Sequence, residues 1–107
     1  MAILTDTIPI GAQIPAGGLG LNLGGGLIVG IYIPTDADGV TYDLEYSPDD
    51  GTTWVPVCDE AGTALQITYV TGGAFHQINP PVRAPYFRLN GGTNEATNAI
   101  TYEVHTV

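Results

Sequence analysis

Ser47, Cys58, His76 and His105 are the side chains to weigh first for a nucleophile and its base. Nucleophilic catalysis needs a Ser, Thr or Cys held against a histidine, with an acid to orient the ring. Ser47 is the only serine, and it opens the stretch Ser47-Pro48-Asp49-Asp50-Gly51, which reads as a turn. Cys58 is the only cysteine, so an intrachain disulfide is excluded. A lone thiol most often packs as a small apolar group. The two histidines fall on separate predicted strands, and nothing local to Ser47 or Cys58 resembles a catalytic elbow. The expectation is a protein that is not an enzyme and needs no cofactor.

The carboxylates point the same way. Asp36-Ala37-Asp38-Gly39 and Asp49-Asp50-Gly51 are acidic runs. Calcium takes about six to eight hard oxygens, often several from one loop. Neither run has the spacing or length of such a loop, and Asp-Gly is ordinary turn chemistry. No close His or Cys pair suggests zinc, so no metal site is expected. Tyr42, Tyr46, Trp54, Tyr69, Tyr86 and Tyr102 could stack on a sugar ring, but cross-strand pairing and interface anchoring account for them more simply.

Charge narrows the partners. Eleven acidic residues face two arginines and no lysine, a formal net charge of −9. Affinity for phosphate backbones comes from Lys and Arg, so nucleic acid is not an expected partner. An anionic membrane surface is disfavoured for the same reason. The balance suits solubility at high copy number or docking on a basic surface. Arg83 and Arg88 are expected to pair with carboxylates, their own or a neighbour's. The first residues lack a basic segment and a long apolar run, so no signal peptide is expected. No stretch reaches the ~20 apolar residues of a membrane-spanning helix. Synthesis in a reducing cytoplasm is the expectation.

The elements that must position these groups are strands. With 107 residues the chain makes one small domain. Fifteen Gly, eight Pro and many Val, Ile, Thr and Tyr predict short strands joined by tight turns. No helix is expected; Asp59 to Leu65 could give one turn at most. Tyr42, Leu44 and Tyr46 alternate with Asp43, Glu45 and Ser47, which predicts a half-buried strand from Val40. After the turn at 47–51, Thr53 to Val57 returns as its hairpin partner. Leu27 to Ile33 is apolar on both faces, the mark of a central strand. Ala64 to Val70, Ala74 to Ile78, Tyr86 to Leu89 and Ala99 to Val107 are further strands. Asn79-Pro80-Pro81 is expected to break pairing.

Residues 1–26 differ from the rest. Ile14, Leu19, Leu21 and Leu23 are punctuated by Gly17-Gly18, Gly20 and Gly24-Gly25-Gly26, with no charge after Asp6. Such a segment either adds a strand to its own sheet or is ordered on a neighbouring subunit. The predicted fold is all-β: a small antiparallel β-sandwich or jelly roll of seven or eight short strands (27–107), with an extended Gly-rich N-terminal arm (1–26), itself partly strand.

The string Tyr42-Asp-Leu-Glu-Tyr-Ser-Pro-Asp-Asp-Gly-Thr-Thr-Trp-Val-Pro-Val57, with Ala84-Pro85-Tyr86-Phe87-Arg88-Leu89 downstream, resembles small β-sandwich proteins of tailed-bacteriophage structural modules, among them capsid decoration, or cement, proteins. A weaker similarity links the same two signatures to discoidin-like and carbohydrate-binding sandwiches. The first resemblance implies a non-enzymatic virion protein on the capsid's outer surface, bound to the major capsid protein and self-associating as a trimer or dimer. Its interface residues would be Ile14, Leu19, Leu21 and Leu23, with Arg83 and Arg88 for pairing. The second implies a carbohydrate- or receptor-binding module of a phage tail or fibre.

Overall fold

The computed structural model describes residues 2–8, 17–35, 37, 41–68, 73–91 and 100–107. Among them are nine strands and no helix: β1 (Ala2–Ile8), β2 (Leu21–Asn22), β3 (Ile28–Ile33), β4 (Thr41–Tyr46), β5 (Val55–Pro56), β6 (Gln66–Thr68), β7 (Ala74–Val82), β8 (Tyr86–Asn90) and β9 (Ile100–Thr106). They form two antiparallel sheets packed face to face. The first runs β1-β9-β3-β7; the second runs β2-β8-β4-β5, with β6 pairing β4 beside β5. The chain is a small all-β sandwich.

The period-two patterns decide which side chains enter the core. In β4, Tyr42 and Leu44 are buried, while Asp43 and Glu45 face outward. In β9, Ile100, Tyr102 and Val104 turn inward and Thr101 is exposed. In β8, Phe87 and Leu89 are fully buried. The central strand β3 lies between β9 and β7, with Ile28, Ile31 and Ile33 in the core. Each such side chain contributes ~1.5–3 kcal/mol on burial, and this term holds the sheets together.

The hairpin over 41–57 forms as its residues dictate. Tyr46 pairs with Val55 and Glu45 with Pro56. Asp50 and Gly51 both take positive φ, 58° and 97°. Ser47 Oγ accepts the amide hydrogens of Asp49 (3.3 Å) and Gly51 (2.7 Å) and donates to Asp49 Oδ1 (2.9 Å). Asp49 Oδ1 also accepts the Thr53 N–H (2.6 Å). The only serine is therefore a turn fastener.

The expected break in pairing at Asn79-Pro80-Pro81 is present, but the strand does not end at Ile78 as expected: β7 runs on to Val82. Gln77 pairs with Gly30 and Val82 with Ile28, so residues 78–81 bulge opposite Val29 alone. The prolines sit in that bulge, on the outermost strand of the sheet, where missing N–H donors break no ladder bond. The expected strand at 64–70 is described only over Gln66–Thr68, and that at 53–57 shrinks to Val55–Pro56. Tyr69, Val70 and most of the acidic loop 36–39 lie outside the described residues.

Candidate functional site

The groups first considered for catalysis are not brought together. Cys58 is exposed on the hairpin linking β5 and β6, in the second sheet, where it bridges Ala64. His76 and His105 belong to the first sheet, on β7 and β9. His105 Nε2 lies 3.0 Å from Glu103 Oε1, and its ring meets Phe75 in a T-shaped contact with centroids 4.9 Å apart. His76 Nε2 is buried without a hydrogen-bond partner among the described residues. No group of three or more His, Cys, Asp or Glu there is placed to hold a metal ion.

The leader is attached to both sheets. Residues 2–8 pair along their full length with β9, from Ala2 opposite Thr106 to Ile8 opposite Ile100. The chain then reappears against the second sheet. Gly17 bridges Asn90, the Gly18 N–H donates to Leu89 O (2.9 Å), Leu21 pairs with Phe87, and the Leu23 N–H donates to Pro85 O (2.7 Å). A buried carboxylate fastens the crossing. Asp6 lies on the inward face of β1, beside Ile8, and is 7% exposed. Its oxygens accept the Tyr102 hydroxyl (2.6 Å), the Gly20 N–H (3.0 Å) and the Leu19 N–H (3.2 Å). The Tyr102 oxygen in turn accepts the Leu89 N–H (3.0 Å). Burial, then the Asp6 charge, push the Tyr102 phenol well above its usual range, so it stays protonated and donating.

This contact explains the leader's glycines. A Cβ at Gly18 would run into the Asp6 carboxylate, and one at Gly20 would stand 2.8 Å from the Trp54 ring. These glycines mark close approach of the backbone to other side chains. Gly24, at φ 58°, instead turns the chain into β3 with open space around it.

Arg88 sits on the outer face of the second sheet, opposite Glu45. Its Nε is 2.6 Å from Glu45 Oε1, and its guanidinium carbon is 4.6 Å from the centre of the Trp54 ring. Trp54 leans on Tyr86 at 5.8 Å between centroids. The expected pairing of Arg88 is thus intramolecular, and it occupies one face of the only tryptophan. Arg83 is exposed, with no ion pair among the described residues.

The remaining predicted interface residues divide. Leu19 is 75% exposed, the most exposed large apolar side chain described. Leu21 and Leu23 are half-buried against the core. Ile14 lies outside the described residues. Sequence reasoning missed Asp6. The available signal was a lone acid on the otherwise apolar face of a strand, between Leu4 and Ile8.

No protein-family model matches the chain, and no curated protein matches it either.

Proposed function

We propose that the protein is a non-enzymatic virion structural protein that binds the outside of an assembled phage capsid and stabilises it. The observation that carries the reading is the distribution of charge on the fold. Of two arginines, Arg88 is paired with Glu45, which leaves Arg83 as the one arginine without an ion pair among the described residues, against a net charge of −9. Such a charge balance complements a basic protein shell and repels nucleic acid. The resemblance of residues 42–57 and 84–89 to phage structural modules supplies the class of partner. Leu19, presented by backbone bonds to Asp6 and left largely uncovered, is an apolar anchor for the centre of the contact.

A protein that binds the assembled shell and not its free subunits adds its binding free energy to particle stability. Self-association as a trimer or dimer belongs to the same reading. The test mixes purified protein with capsids that lack it and follows co-sedimentation across a salt series. Binding that weakens with salt, and falls about tenfold or more with Leu19→Ser, supports the reading. No co-sedimentation at any ionic strength overturns it. The alternative, a sugar-binding module, draws on Trp54 and Tyr86 on the outer face. The Arg88 contact leaves less of the Trp54 ring for a pyranose, which favours the first reading.

A further inference from the structure

The two sides of the sandwich are finished differently. On one side the leader crosses from the first sheet to the second, and Asp6 bonds across the gap. On the other, the outermost strand β7 faces the β5–β6 hairpin across a groove of about 580 Å³. That volume lies within the ~300–1,000 Å³ of clefts that take ligands. Val57, Leu65 and Ile78 line it, half-buried and apolar. Pro80 and Pro81 line the β7 wall and offer no N–H, so an occupant there is held by side-chain contacts instead of by strand addition.

The two walls carry opposite charge. Asp59 and Glu60 stand on the hairpin turn, and Arg83 follows the end of β7. Both Glu60 and Arg83 are exposed and lack an ion-pair partner among the described residues. None of the described carboxylates pairs with Arg83. This leaves a cationic donor at one wall and carboxylates at the other, with apolar surface between.

We propose that this groove binds an extended segment of a partner protein in which a bulky aliphatic side chain is flanked by a basic and an acidic residue. The aliphatic group covers Val57, Leu65 and Ile78. The basic residue meets Glu60 and Asp59, and the acidic one meets Arg83. The proposal rests on the reading of the chain as a docking protein, and it places the partner's segment on the open side of the fold.

The test uses the full chain, immobilised, and a displayed library of random linear peptides. Enriched peptides are synthesised, titrated by fluorescence anisotropy and mapped by amide chemical shifts. The expected result is a shared basic–aliphatic–acidic pattern, with shifts at Val57, Leu65 and Ile78. Glu60→Lys and Arg83→Glu, both at exposed positions, should each weaken binding about three- to tenfold, attraction lost plus repulsion gained. The double variant should prefer peptides with the charges exchanged. Failure to enrich any peptide, shifts confined to another surface, or indifference to both reversals overturns the proposal. Capsid co-sedimentation separates the two readings. Particles bound equally by wild type and both variants remove the groove and leave the shell reading intact. Peptides that bind as expected while particles do not remove the shell and leave the groove.

Discussion

Replacing Asp6 with alanine should be the most damaging single change in the leader. The carboxylate accepts three hydrogen bonds, at 2.6, 3.0 and 3.2 Å, and no water reaches it freely at 7% exposure. The Tyr102 hydroxyl is fully buried, so losing its acceptor costs about 2 kcal/mol. The Leu19 and Gly20 amides are partly buried and regain some water, at about 1 kcal/mol each. Removing a buried charge returns part of this, which leaves a net loss of about 3 kcal/mol. For a domain of this size that is a fall of roughly 12 °C or more in Tm. Urea denaturation followed by Trp54 emission measures the loss. Hydrogen exchange at Leu19 and Gly20 shows whether the crossing opens before the body does. A double-mutant cycle with Tyr102→Phe should return a coupling of about 1–2 kcal/mol. A loss below about 1 kcal/mol for Asp6→Ala, or strict additivity in the cycle, would refute the view that this carboxylate joins the sheets.

Three further outcomes follow from the same geometry. The Tyr102 phenol is raised in the folded state, so its contribution is complete below the unfolded-state value of 10.0 and is lost as pH climbs above it. Stability measured from pH 9 upward should fall with a slope of up to about 1.4 kcal/mol per unit from this group, and Tyr102→Phe, although less stable at neutral pH, should show a flatter alkaline limb. Arg88→Ala leaves Glu45 (13% exposed) without its cation and Trp54 without its stacking partner; the expected loss is about 2 kcal/mol with a shifted Trp54 emission, and Arg88→Lys should recover less than half. Gly20→Ala meets both a φ of 106° and the Trp54 ring at 2.8 Å, so calorimetry should find it destabilised by about 2 kcal/mol, whereas Gly25→Ala, with nothing nearby, should stay within about 0.5 kcal/mol.

Much of the architecture was legible in the residues. Strict alternation in 41–46 and 100–106 announces which face is buried, because a strand offers only two faces. The apolar run at 28–33 announces a central strand, which β3 is, but not cover on both faces: Val29 and Tyr32 are only half-buried, because the sandwich has two layers. The turn at 47–51 carries its own chemistry in Ser47, Asp49 and Gly51. The prolines were read correctly as an interruption of pairing, since residues 78–81 have no partner on β3. What they did not reveal is that β7 resumes at Val82, because an edge strand tolerates the bulge and edge position is a property of the whole topology. The site was less legible for a related reason. Asp6 finds Tyr102 across a sequence separation of 96 residues, and nothing near either residue names the other. A carboxylate for Arg88 was foreseeable, but its identity as Glu45 depends on the β4–β8 register. The glycines at 17–20 look like flexibility in one dimension. In three they are clearance over Arg88, Asp6 and Trp54.

The pairing of β1 with β9 sets how the molecule would respond to mechanical load. Ala2 stands opposite Thr106, so a pull on the chain before β1 and after β9 acts at one end of the same ladder. Antiparallel bonds lie across the strand axis, and force applied there breaks them one rung at a time instead of shearing seven together. Tethered by its two ends, the protein should unzip at low force up to the Asp6 rung, where resistance rises.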